Sequence, residues 1–135
     1  MVLFPIFLGI KLCMVKTGKM VYSNKKENKE EQTMSVINIT KENFEEEVLR
    51  SEKPVLLDFY ADWCGPCRMV APVVHEIAEE NDQIKVGKIN VDEQMDLAMR
   101  FQVTSIPLLV VMQDGEVVNQ ALGARPKEAI LKMIP

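Results

Sequence analysis

The stretch Trp63-Cys64-Gly65-Pro66-Cys67 limits what this chain can become more than any other. Two thiols stand two residues apart. The apolar run Val55 to Tyr60 leads into them, and an apolar pattern of helical period, Met69 to Asn81, leads away. A dithiol where a strand hands over to a helix is a chemically specific arrangement. The main-chain N–H groups at a helix start have no partner within the helix, and with the helix dipole they stabilise a thiolate there.

A Cys-x-x-Cys pair can also be half of a zinc site, which needs two more ligands. The remaining candidates are Cys13, far away in a poor segment, and His75, and no second Cys-x-x-Cys or paired histidine motif is present. Metal binding is therefore set aside. Three cysteines, only two of them close together, do not make a secreted disulfide framework.

The chain has 135 residues, enough for one domain with one core. Its net charge of −4 is unevenly spread. Residues 1–33 carry six lysines against three glutamates, whereas residues 34–135 carry ten basic against seventeen acidic residues. An acidic domain repels phosphate backbones, so nucleic-acid binding is not expected.

Residues 1–33 read as an extension, apolar from Met1 to Ile10 and charged from Ser23 to Thr33. The apolar part is far short of the roughly 20 residues a membrane-spanning helix needs. It lacks both the basic leader and the small-residue cleavage site of a signal peptide. The charged part cannot bury enough surface to offset chain entropy and is expected to be disordered or a loosely helical linker. The extension reads as a segment without a role, ahead of a surface anchor or a partner-binding arm, and Cys13 as inert.

From Met34 onward the pattern is β, α, β, α, β, α, β, β, α. Val36 to Ile39 is a short strand. Thr40 suits the N-cap of a helix carrying Phe44, Val48 and Leu49 on one stripe. Val55 to Tyr60 is apolar on both faces except at Asp58, as in a central strand covered on both sides. A carboxylate there is costly unless it is paired or becomes neutral. One reading pairs Asp58 with Lys88; the preferred reading makes it a buried proton carrier close to Cys64. Val70, Val73, Val74, Ile77 and Ala78 form the core stripe of the next helix, which Pro72 is expected to kink near Met69. His75 reads as a surface residue.

Ile84 to Val91 is the following strand. Asp92 is read as the cap of a helix reaching Phe101, with Met95, Ala98, Met99 and Phe101 as its apolar face. Leu108 to Met112 pairs through the Asp114-Gly115 turn with Glu116 to Leu122, and Gly123 marks a bulge or close approach. Pro126 opens a last helix, Lys127 to Ile134. The fold class is α/β, with a mixed central sheet of about five strands and helices on both faces.

Residues 34–135 resemble thioredoxin. The resemblance rests on Asp58-Phe59-Tyr60-Ala61-Asp62-Trp63-Cys64-Gly65-Pro66-Cys67-Arg68, Ala71-Pro72, Lys88-Ile89-Asn90-Val91-Asp92, Ile106-Pro107, Asp114-Gly115 and Gly123. Tyr60 stands where many relatives carry a second tryptophan, Leu108 where threonine is usual, and the final helix is short. The resemblance implies a thioredoxin fold and a protein-disulfide reductase. Cys64 would be the nucleophile, with a pKa near 7 that belongs to the family and not to this sequence. Cys67 would be the resolving thiol, more buried than Cys64, and would form a redox-active disulfide with it. Asp58 would be the buried proton acceptor, acting through a water, and Lys88 would modulate it. Trp63, Gly65, Pro66, Ile106, Pro107 and Gly123 would form the substrate surface, with a cis bond before Pro107.

The chain has no nucleotide-binding glycine motif, so it requires no cofactor of its own and must borrow electrons. By resemblance the donor is an NADPH-dependent thioredoxin reductase, and the clients are proteins containing disulfides. A monomer in the cytoplasm, not at a membrane, maintaining redox homeostasis is expected. Two rivals are a membrane-tethered or exported thiol oxidoreductase and a redox-inert clamp subunit of a partner enzyme. The Gly65-Pro66 dipeptide favours the reducing kind over strongly oxidising relatives, which carry a histidine between the cysteines.

Overall fold

The computed structural model describes residues 35–135; the expectations placed on residues 1–33, Cys13 included, lie outside it. Five strands form one sheet: β1 (Ile37–Asn38), β2 (Val55–Tyr60), β3 (Lys85–Asn90), β4 (Leu108–Gln113) and β5 (Glu116–Leu122). Their spatial order is β1-β3-β2-β4-β5. β3 runs parallel to both β1 and β2, whereas β4 is antiparallel to β2 and β5. Four helical segments cover the sheet: α1 (Glu45–Leu49, of π type), α2 (Gly65–Glu80), α3 (Met95–Arg100) and α4 (Lys127–Leu131).

The side-chain alternation of β2 explains the layers. Val55, Leu57 and Phe59 face a core completed by Phe44 and Val48 from the α1 side and Leu97 from α3. Leu56, on the opposite face, packs with Val70, Val74 and Ile77 of α2 and Ile130 of α4. Both faces are thus sealed, as a central strand requires, and burial of each aliphatic side chain stabilises the fold by about 1.5–3 kcal/mol. Asp58 and Tyr60 share the Leu56 face, beneath α2.

Several local expectations are corrected. Thr40 does not act as a side-chain cap: Asn43 Oδ1 accepts from Thr40 N at 2.8 Å, so the capping bond runs backwards. Asp92 does not cap α3 either. Asn90 Oδ1 accepts from the N–H groups of Asp92 (2.9 Å) and Glu93 (3.3 Å). Helix α3 buries Leu97, while Met95 and Met99 face outward, 64% and 72% exposed. The strand irregularity lies at Val118, not Gly123: Val111 pairs with Asn119 and Met112 with Val117, leaving Val118 as the extra residue. The hairpin turn takes Asp114 (φ 55°) and Gly115 (φ 81°) into the left-handed region, as a primed turn demands.

Gly87 is required by packing. A Cβ there would lie 2.6 Å from Ile39 Cγ1 and 3.4 Å from Leu57 Cδ2, and both neighbours are buried. Gly87→Ala is expected to destabilise the domain by about 1–3 kcal/mol, the usual cost of overpacking. Urea denaturation checks this; a change below about 0.5 kcal/mol would show that Ile39 yields freely.

Candidate active site

Cys64 occupies the N-cap position of α2, with extended backbone (φ −88°, ψ 115°). Pro66 fits the first turn because its missing N–H would have no helical partner. The local geometry aims a main-chain donor at the first sulfur: Cys67 N lies 3.2 Å from Cys64 Sγ. The two cysteines are joined as a disulfide, so the molecule is in its oxidised state. The expected difference in burial is slight in this state, 5% exposure for Cys64 against 3% for Cys67.

Two loops close over the dithiol. The Ile106–Pro107 bond is cis, and the Ile106 carbonyl oxygen lies 3.9 Å from Cys64 Sγ. Gly123 N donates to the Pro107 carbonyl at 2.8 Å, with Gly123 at φ 97°. That bond ties the end of β5 to the start of β4. On the other side Trp63 stands 68% exposed, and its Nε1 donates to Asp92 Oδ2 at 2.9 Å. Trp63 and Ile106 line one groove with Val91, Ala98 and Val103. A Cβ placed on Gly65 would meet nothing within 4 Å, so the surface beside the disulfide is open. Of the six residues expected at the substrate surface, Gly65 and Pro66 open α2, Trp63 precedes it, Ile106 and Pro107 precede β4 and Gly123 follows β5.

Behind Cys67 lies a cavity of about 210 Å³ lined by Asp58, Tyr60, Ala61, Asp62, Cys67, Arg68, Ala71 and Lys88. Asp58 is 3% exposed, and no group among the described residues hydrogen-bonds its Oδ1. Burial pushes its carboxyl up from the ordinary 3.8 to about 7, and the positive charge of Lys88 opposes the rise. The carboxyl therefore gives up its proton far closer to neutral pH than an ordinary carboxyl does. Lys88 forms no ion pair with Asp58 among the described residues; its Nζ stands 5.7 Å from the centre of the Tyr60 ring. The cavity is large enough to hold a water.

Sequence reasoning misses three of these side chains. Asp92 holds Trp63 across 29 residues of chain. Tyr60 and Arg68 line the cavity, and Arg68 donates to the Asp62 carbonyl at 2.8 Å. A period-two reading of β2 places Tyr60 on the Asp58 face, and that alternation is the signal that could have found it. His75 lies away from the site, paired with Glu79 on the α2 surface. Among the described residues, no group of three or more His, Cys, Asp and Glu is arranged to hold a metal.

Comparison with known proteins points the same way. The thioredoxin family model matches residues 35–135. A thioredoxin from Streptomyces clavuligerus is 50% identical over 98 residues, 73% of this chain and 92% of that protein. A bifunctional thioredoxin reductase/thioredoxin from Mycobacterium leprae is 48% identical over 97 residues, 71% of this chain and 21% of that protein. In three dimensions, a mutant thioredoxin from Halobacterium salinarum NRC-1 aligns with a TM-score of 0.70 and 36% identity. That alignment covers 76% of this chain and 90% of the solved one. With the dithiol at the head of α2, the cis proline loop against it and these relatives, the chain belongs to the thioredoxin family.

Proposed function

We propose that the chain reduces protein disulfides with Cys64 as attacking and Cys67 as resolving sulfur, assisted by Asp58. Members of this family are thiol–disulfide oxidoreductases, and the observation that carries the reading is the Cys64–Cys67 disulfide at the N-terminus of α2. In the reduced protein, Cys64 is the thiolate that attacks a client disulfide. One client sulfur leaves as a thiolate and the other stays bound to Cys64. The Cys67 thiol then passes its proton to the Asp58 carboxylate, directly or through a water in the cavity. The Cys67 thiolate attacks Cys64 Sγ, and the second client sulfur departs and takes up a proton. The client has gained two electrons, and Cys64 and Cys67 are joined again.

Three features support these roles. The N–H of Cys67 points at Cys64 Sγ, where it would stabilise negative charge. Asp58 shares a cavity with Cys67 and has a pKa near neutrality, where a proton acceptor works best. Lys88 also lines the cavity, and its charge tunes Asp58. The open surface of Trp63, Gly65, Pro66, Ile106, Pro107 and Gly123 is suited to an extended client segment. For recharging, we assign a thioredoxin reductase drawing on NADPH. The Mycobacterium leprae relative, which names both activities in one protein, supports this partner. The Gly65-Pro66 pair suits a reducing compartment, and the cytoplasm is the one we assign. No helix among the described residues is long and apolar enough to cross a membrane.

An insulin-reduction assay with dithiothreitol as electron source tests the assignment of the sulfurs. Cys64→Ser is expected to lose activity entirely. Cys67→Ser is expected to accumulate a mixed disulfide with client, visible on a non-reducing gel. A trapped client on Cys64→Ser instead would reverse the two roles.

Asp58 also makes stability depend on pH. Its folded pKa lies above the unfolded value, so the native state holds the proton more tightly between pH 3.8 and 7. The contribution of this group is full below pH 3.8, declines as pH rises, and levels off above 7, a span of about 4 kcal/mol. Asp58→Asn is therefore expected to stabilise the protein at pH 8 by on the order of 2–4 kcal/mol, read from chemical denaturation. A variant no more stable than the parent at pH 8 would contradict the burial penalty.

A further inference from the structure

Tyr60 lines the cavity, yet the reaction above gives it no task. Strands β2 and β3 place Asp58 opposite Lys88 and Tyr60 opposite Asn90. All four side chains therefore project to the α2 face of the sheet. Asn90 is buried, and its Oδ1 accepts from the N–H groups of Asp92 and Glu93. Tyr60 itself is half-buried, and the Lys88 ammonium lies 5.7 Å from the centre of its ring.

The other groups around Asp58 leave Lys88 as the cation to account for. From α2 come Cys67, engaged in the disulfide, and Arg68, whose guanidinium donates to the Asp62 carbonyl. From the loop after β2 comes Asp62, exposed at the cavity rim. On the β4 side the register partner of Asp58 is Leu109, which carries no charge. Lys88 sits beside Asp58 in register, and its flexible stem gives it the reach to close on the carboxylate. It stands over the aromatic ring instead.

We propose that Tyr60 is a positioning residue for disulfide exchange: its ring keeps the Lys88 ammonium at the cavity mouth and off the Asp58 carboxyl. The attraction between a cation and a ring face supplies the hold. Two consequences follow for the reaction. Asp58 stays without a counter-ion, so it keeps its affinity for the Cys67 proton near neutral pH. The space between carboxyl and sulfur also stays open to a water.

The kinetic consequence rests on Asp58 as the proton acceptor, but the placement of Lys88 does not, and the two can be tested apart. The experiment is a carbon-detected NMR titration of the Asp58 carboxyl in the full chain. It compares the parent with Tyr60→Phe, Tyr60→Leu, Lys88→Met and the Tyr60→Leu/Lys88→Met pair. Tyr60→Met serves as a second ringless variant should Tyr60→Leu fail to fold. Tyr60→Phe keeps the ring and is expected to keep the parent midpoint. Tyr60→Leu frees Lys88, and the midpoint is expected to fall by about half a pH unit. In the Lys88→Met background the same substitution is expected to have no effect. A midpoint unmoved or raised by Tyr60→Leu would overturn the proposal. So would an equal fall in the Lys88→Met background, which would mean that the ring excludes water and does not steer the lysine. A parent midpoint near the ordinary carboxylate value would reject Asp58 as the proton acceptor and the kinetic consequence with it, while the placement of Lys88 would still stand or fall on the shift caused by Tyr60→Leu.

Discussion

The carboxyl of Asp58, buried in the middle strand of the sheet, is the constraint on which the rest of the site depends. Transfer of a carboxylate out of water costs several kcal/mol. The strand has no surface to which this side chain could retreat, because β3 and β4 flank β2 and α2 covers the face. The group therefore holds its proton to about pH 7. Stability for the domain comes from the two apolar clusters on either side of the sheet, built by Phe59, Leu57 and Phe44 on one face and Ile77, Val74 and Ile130 on the other. The fold tolerates one unfavourable residue because so many favourable ones surround it, and that residue shares a cavity with Cys67.

The two sulfurs meet different surroundings although they lie on one turn. Cys64 sits at the helix start, where the N–H of Cys67 is directed at it, and close to the Ile106 carbonyl. Cys67 faces inward to the cavity and to Asp58. An attacking sulfur needs stabilised negative charge and access to a client. A resolving sulfur needs a nearby acceptor and protection. The strand-to-helix handover places both sulfurs within three residues, Cys64 at the N-cap beside the Ile106 carbonyl and Cys67 in the first turn on the cavity.

Much of this is legible in the sequence because it is local. The run Val55 to Tyr60 betrays a covered central strand, and its one carboxylate stands out against an apolar background. The dithiol followed by a helical stripe places Cys64 at a helix start. What escapes is short or non-local. Helix α3 has six residues, too few for periodicity to separate its buried face from its exposed one, so the pattern gathers Met95 and Met99 with Ala98 and Phe101 into one mixed apolar face and passes over Leu97. Asp92 looks like a cap because it precedes a helix. Its partner is Trp63, on another loop, while Asn90 fills the capping role. The Val118 bulge leaves no mark in a strand of ordinary composition, whereas Gly123 stands out as a glycine and serves a loop contact to Pro107. Lys88 opposite Asp58 suggests an ion pair, and only the register of Tyr60 beside them offers the lysine an alternative.

The account stands on the transfer of the Cys67 proton to Asp58. The most direct measurement is the single-turnover rate at which a mixed disulfide preformed on Cys64 is resolved by Cys67, followed from roughly pH 5 to 9 in the parent and in Asp58→Asn. The parent is predicted to show a rise centred near pH 7, the pKa of the buried carboxyl, and the variant to lose that rise and follow the Cys67 thiol alone. Superimposable profiles from the two proteins would contradict it.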